Sequence, residues 1–217
     1  MMSCHLNCNL WPLRETIMTN DRLLLLGCGI LKKEVNFLIA RNHWPLETLF
    51  LDSALHVDFD RLATSLTHAL ARRREEEIIV FYGSCHPLME GMLAEAQTFR
   101  TRGQNCCEML LGQDLFTEEL AKGAFFLLEE WAGRWEHIMT KSFNTTKLEI
   151  IRDIFQGDRK YLLGLRTPIS GDFTAEAEAA ARMVGLPLRW LEVPLDHLES
   201  VLLEAITRKQ GDMQCRR

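Results

Sequence analysis

The sequence lacks most of the short motifs that announce an activity. It contains no G-x-G-x-x-G, no G-x-x-x-x-G-K-[ST], no G-x-S-x-G and no H-E-x-x-H. No dinucleotide fingerprint, phosphate loop, nucleophile elbow or zinc-protease helix is therefore in view. No apolar run approaches the roughly 18 residues of a membrane span. The opening stretch "MMSCHLNCNLWPLRETIMTNDR" has no continuous apolar segment of the secretory kind, so neither a membrane nor export is expected. Excess positive charge is missing too. The net charge of −5 removes the electrostatic case for nucleic acid, and the one dense block, "RRREEE" at 72–77, cancels itself. No Pro/Gly-rich linker and no strict short repeat divides the chain.

What is present is ordinary globular material. Apolar residues make up 47% of 217, enough to bury a core without staples. Met18 stands just before the first strand pattern, so residues 1–20 are set apart as an N-terminal extension, mobile or the product of a misplaced start codon. The domain proper is expected over 21–208, with a tail at 209–217. Seven cysteines (4, 8, 28, 85, 106, 107 and 215) form an odd, irregularly spaced set. That argues against a disulfide framework and for reduced thiols in a cytoplasm.

The apolar pattern alternates strands with helices. "RLLLLGC" (22–28) is continuous, as a strand buried on both faces should be. "KKEVNFLIARN" follows with helical spacing, then a second strand at "TLFLDS" (48–53). Asp58 or Asp60 can cap a helix through about Ala71. "EIIVFYGSC" (77–85) is the third strand, and 88–102 reads as a short helix and a weak fourth strand. Two helices from "CCEMLLGQDLFTEELAKG" lead to a strand at "AFFLLEE" (124–130). One or two further helices end at Gly157. "KYLLGLR" (160–166), an Ala-rich helix stopped at Gly185, "LRWLEVP" and a last helix complete the order. This alternation predicts an α/β, Rossmann-like fold, a mostly parallel sheet with helices on both faces, built as one domain or as two fused lobes.

Against that order three cysteines stand at equivalent places. Cys28 ends the first strand between Gly27 and Gly29. Cys85 ends the third, in Tyr82-Gly83-Ser84-Cys85-His86. Cys107, beside Cys106, opens a helix after the expected fourth. Carboxyl ends of parallel strands share one edge, where open sheets keep their sites, so the three thiols can converge. The glycines would let the backbone approach a bound group, and helix N-termini nearby would lower the thiol pKa values. Three thiolates with a vacant position suit zinc or an iron–sulfur cluster. The alternative is that small thiols merely pack at strand ends.

The segments "LLLLGCGILKKEVNFLI", "LFLDSALHVDFDRLATSL", "IIVFYGSCHPLMEGM" and "CCEMLLGQDLFTEEL", in that order, resemble the DUF1638 family, a domain of unknown function common in methanogens and anaerobic bacteria. The resemblance runs from about Arg22 to Val201. The family pattern has a Cys after the first strand, a Tyr-Gly-x-Cys segment and a His-Asp-Cys before an apolar stretch ending Leu-Leu-Gly. These fall on Cys28, on Tyr82 to Cys85, and on Asn105-Cys106-Cys107 before Gly112. The resemblance thus implies a joint role for Cys28, Cys85 and Cys107, with Asn105-Cys106 departing from His-Asp. It also implies company with corrinoid-dependent methyl transfer, hence a corrinoid, a corrinoid protein or a methyltransferase as partner.

Other residues carry two readings each. His86 is a fourth ligand, an acid/base group or a turn residue before Pro87. Asp52, after the second strand, orients a ligand or caps a turn, and His56 on the same edge begins the approach to the helix. Cys4-His5-x-x-Cys8 has ligand spacing without a partner pair, and Cys215 reads as an exposed thiol in the tail. Trp131 and Trp135, four apart, floor a planar cofactor such as a corrinoid, or pack in the core. The expected function is a metal-binding protein with a three-cysteine centre, zinc or [4Fe–4S], in anaerobic one-carbon methyl transfer or redox chemistry. The alternatives are a non-catalytic metal or corrinoid carrier and a metal-free binding module. No catalytic residue is assigned.

Overall fold

The computed structural model describes residues 23–216. The N-terminal extension, with Cys4, His5 and Cys8, lies outside the described residues. The elements run β1 (Leu23–Cys28), α1 (Lys32–Asn42), β2 (Leu46–Leu51), α2 (Phe59–Arg72), β3 (Glu77–Phe81), α3 (Met89–Glu95), α4 (Cys106–Leu111), α5 (Gln113–Ala121) and β4 (Ala124–Leu127). They continue with α6 (Glu129–Ala132), α7 (Trp135–Phe143), α8 (Leu148–Asp158), β5 (Tyr161–Arg166), α9 (Thr174–Val184), β6 (Leu188–Glu192) and α10 (Asp196–Arg216).

The strands form two three-stranded sheets, β2-β1-β3 and β4-β5-β6, with every pair parallel. The central strands, β1 and β5, are buried along nearly their whole length. In β1 alternate residues serve opposite faces, as the period of two requires. Leu24 and Leu26 meet Leu62 and Leu66 of α2. Leu23 and Leu25 enter a larger core together with Leu163 and Leu165 of β5, Leu110 of α4 and Leu202 of α10. Leu162, on the other face of β5, packs with Phe155 of α8 and Ala177 of α9. The two sheets therefore share one interior in addition to a private helical layer each. Polar bonds reinforce the junction: Lys33 pairs with Glu129 at 2.6 Å, and Thr167 donates to the buried Glu34 at 3.0 Å.

Local signals explain the boundaries. Asp58 caps α2 by accepting from the Arg61 amide at 3.1 Å, which satisfies an otherwise orphan donor. Gly185 ends α9 in the left-handed region at φ 68°, where a side chain would be strained. Four expectations are corrected. β3 stops at Phe81, so Tyr82 to Cys85 lie in the loop beyond it. The fourth strand is reduced to a single parallel bridge between Val80 and Arg100. Gly157 falls within α8. The segment from 209 is helical through Arg216, held by the buried Lys209 and by Arg216, which lie 3.0 and 2.8 Å from the same Glu77 oxygen.

Candidate functional site: a thiol-lined cavity

Three stretches of chain deliver cysteines to one cavity of about 340 Å³. Cys28 closes β1. Its strand sits tightly against β3, because a Cβ on Gly27 would lie 2.9 Å from the Phe81 Cβ. Gly29 faces the Leu51 carbonyl instead. Neither glycine lines the cavity; each serves the contact between neighbouring strands. Cys85 comes from the loop after β3, and Cys106 and Cys107 begin α4. Those two stretches are locked together. The Ser84 amide donates to the Gln104 carbonyl at 2.8 Å, and a Cβ on Gly83 would lie only 2.2 Å from that carbonyl oxygen. No residue but glycine fits there, so Gly83 fixes where Cys85 meets the start of α4. Asn105 caps that helix through the Glu108 amide at 3.0 Å.

All four thiols line the cavity, as do Tyr82 and Gly83. Burial pushes Cys28 well above the ordinary thiol range, and the neighbouring Cys106 adds to the shift. Cys85 is pushed up to about 11, again by burial first and Cys106 second. Cys106 is raised by its hydrogen bond to the Cys107 side chain and then by burial. The lowering expected from helix N-termini is thus overturned for Cys28 and Cys85, because desolvation of a thiolate outweighs a partial positive charge. Cys106 bears on both Cys28 and Cys85, a relation the sequence pattern had attached to Cys107.

The remaining walls are apolar and aromatic: Phe81, Met109, Phe116, Phe126, Leu128 and Trp131. Trp131 and Trp135 part company, since α6 ends before Gly133 and α7 starts at Trp135. Trp131 lines the cavity with its ring 5.7 Å from that of His56. Trp135 packs in the core with Phe125 and Phe155. Burial lowers the His56 pKa, which keeps its imidazole neutral near neutral pH. His86 lies outside the cavity lining; its Nδ1 accepts from the Leu88 amide at 3.0 Å and its ring meets Phe59 edge-on. Asp52 also stands back from the lining, in a two-pronged ion pair with Arg134. Ser53, which does line the cavity, donates to Glu130. No sequence signal marked Arg134 or Glu130. Cys215 is exposed on α10.

Among the described residues no three of His, Cys, Asp and Glu are grouped as ligands of a single ion. The donor chemistry nonetheless fits a soft ion. Four cysteines and Met109 line a space whose walls offer no carboxylate to attract a hard cation. A coordinated thiol is also deprotonated by the metal itself, so a raised pKa does not preclude binding.

The family model described as "Protein of unknown function (DUF1638)" matches residues 50–202. That span holds Cys85, Cys106 and Cys107 but begins after β1, and so is narrower than the likeness seen from about Arg22. No curated protein matches the chain.

Proposed function

The chain belongs to the DUF1638 family, and we propose that it is a metal-binding protein whose centre is held by Cys28, Cys85 and the Cys106–Cys107 pair. The observation that carries this reading is the delivery of four thiols from three separate stretches of chain to one cavity. Buried cysteines at strand ends need no common destination, and a fixed glycine contact such as that of Gly83 is costly unless the position of Cys85 matters.

Zinc and [4Fe–4S] are the two centres the donor set suits. Either would supply a Lewis acid, and the cluster would add electron transfer. The chain's own part is to hold the sulfurs and exclude water behind an aromatic wall. A cavity of about 340 Å³ is at the small end of the range for ligand sites. A corrinoid would accordingly be presented by a partner protein rather than enclosed, which is the form a link to methyl transfer takes here. His56 lies tilted against Trp131 and His86 spends its Nδ1 on a turn, an arrangement that favours a carrier or electron-transfer role over acid–base catalysis.

Anaerobic purification with elemental analysis for Fe, Zn, Co and acid-labile sulfide tests the reading. Stoichiometric metal in the wild type, lost in Cys28→Ser and Cys85→Ser, is the expected result. Cys106→Ser and Cys107→Ser then say which of the pair contributes. A wild type that stays metal-free after anaerobic reconstitution overturns it.

A further inference from the structure

Cys106 and Cys107 are adjacent in the chain, both line the thiol cavity, and their side chains share a hydrogen bond. Neither residue is sealed off; each keeps part of its surface exposed. Two sulfurs therefore stand together on one wall, whereas no three of His, Cys, Asp and Glu are grouped among the described residues. A ready pair suits a centre that needs two sulfurs and brings its remaining substituent with it.

The surroundings set the charge and character of such a guest. Among the described lining residues Arg159 is the one permanent charge, and its guanidinium is already paired with Asp158 at 3.1 Å. Burial keeps His56 neutral near neutral pH, and it keeps Cys28 and Cys85 protonated. A charged adduct would lose its water and find no free counter-ion. The cavity also has an apolar side, where the Phe116 and Phe126 rings stack at 5.1 Å and Leu128 and Met109 line the same space. The guest these walls suit is neutral once bound and carries an apolar group.

We propose that the cavity takes a trivalent arsenical bearing one apolar organic group, with the arsenic held by the Cys106 and Cys107 sulfurs and the organic group laid against the aromatic wall. The exchange needs no oxidant. R–As(OH)2 gives up both hydroxyls, each takes the proton of one thiol and leaves as water, and two As–S bonds form while arsenic stays trivalent. No proton is released and the adduct is neutral, so the burial that disfavours thiolates does not oppose the reaction. A dication such as zinc instead displaces a proton from each thiol it binds. The inference goes beyond the metal reading and needs no resident ion, since free thiols are the reactants.

The test uses the full chain with Cys4→Ser, Cys8→Ser and Cys215→Ser, which leaves the four cavity cysteines. The protein is treated with chelator, kept reduced with a phosphine and offered phenylarsonous or methylarsonous acid. Intact-mass measurement should show one phenylarsenic group per chain, and peptide mapping should find it on the peptide that holds Cys106 and Cys107. Affinities come from competition with dithiothreitol. The preference for phenyl over methyl should exceed that of free dithiothreitol by about tenfold, because the ring leaves water for an apolar wall. Cys106→Ser and Cys107→Ser should each lower affinity about a hundredfold, since the second As–S bond is then no longer intramolecular, and Cys28→Ser should not. Where a Ser variant fails to fold, the peptide map of the parent chain decides. No adduct, an adduct on other cysteines, affinity retained in either Ser variant, or a phenyl preference no larger than that of dithiothreitol overturns the proposal. An adduct on a chain that takes up neither zinc nor iron on reconstitution would leave this inference standing and sink the metal reading. A chain that loads metal but forms no adduct once stripped would sink this inference alone.

Discussion

Both terminal nitrogens of Arg134 bond the carboxylate of Asp52, the second of them at 3.2 Å, across 82 residues of chain. The pair joins the turn after β2 to the start of α7. It lies beside Ser53 and Trp131, which line the thiol cavity. Planar, two-pronged pairing is the strong geometry for an arginine and a carboxylate, so this contact is a clasp between the two halves at the site. Asp52 is more than half exposed at the side chain, which limits its contribution to stability to about 1 kcal/mol or less. Its effect on access should be larger. Arg134→Met is expected to leave the melting temperature within a few degrees of wild type and to speed labelling of the cavity thiols several-fold. The Arg134 bond also holds the Asp52 pKa below its ordinary value. A depressed folded pKa means the clasp is complete above the unfolded carboxylate range and weakens as pH falls through the folded value. Labelling that shows the same pH dependence in Arg134→Met as in wild type would remove Asp52 as the cause.

Thiol reactivity gives a second measurement. In a Cys4→Ser/Cys8→Ser background, Cys215 is exposed on α10 whereas Cys28, Cys85 and Cys106 have pKa values raised by burial or by a bonded neighbour. With Cys85 at about 11, its thiolate fraction at pH 8 is about a thousandth. A disulfide reagent at that pH should therefore modify Cys215 at once and Cys85 orders of magnitude more slowly. Raising the pH toward that value should accelerate Cys85, since the thiolate is the reacting form. Peptide mapping after timed quenching reads both rates. Prompt modification of Cys85 at pH 8 would show that the cavity is wetter than this geometry allows.

Gly83 supplies the sharpest structural test. Its missing Cβ is what permits the loop carrying Cys85 to lie against Gln104, and the atom it would meet is a backbone oxygen with no freedom to turn aside. Gly83→Ala should cost about 1–3 kcal/mol by overpacking. It should lower metal content as well, because Cys85 and the start of α4 must move apart. The contrast is Gly91→Ala, where nothing lies within 4 Å of the added carbon; exchanging Gly for Ala within α3 should stabilise slightly. Equal thermal stability in the two variants would mean that the contact yields without penalty.

These positions show how much could be read in advance. The alternation of elements was legible because β1 and β5 are apolar along nearly their whole length, and the Asp58 cap and the Gly185 stop are local effects that need no tertiary partner. The division into two sheets was not legible, since an apolar strand announces burial on both faces without naming its neighbour. The fourth strand misled because Thr98 to Arg100 borrow only a few bonds from β3. At the site, Gly27, Gly29 and Gly83 marked real close approaches, yet two of the three serve the sheet contact alone. The choice between Cys106 and Cys107 depends on the rotation of α4 about its axis, where adjacent residues point about 100° apart, and no local pattern sets that angle. Trp131 and Trp135 looked like one helical face until a break at Gly133 sent one to the cavity and the other to the core. Asp52 was marked by its place after the second strand, but its clasp with Arg134 was not, because a long-range ion pair has no spacing.

A last prediction concerns Glu34, on α1 at the junction of the halves. The residue is buried, and its carboxyl accepts from the Thr167 hydroxyl at 3.0 Å. Burial raises its pKa above the ordinary value, more than the hydrogen bonds at the carboxyl lower it. A carboxyl whose folded pKa exceeds its unfolded one binds more protons in the native state, so its effect on stability falls as pH rises between the two values. At neutral pH the charged form is therefore a net cost. Glu34→Gln keeps an acceptor for Thr167 and removes the charge. It should raise the melting temperature by about 2–4 °C at neutral pH, with the gain shrinking to nothing below about pH 4, where the unfolded carboxyl is itself protonated. Thermal melts of both proteins from pH 4 to 8 measure this directly. A Gln variant less stable than wild type at pH 7 would mean that the Glu34 carboxylate, not the neutral acid, is what joins the two halves.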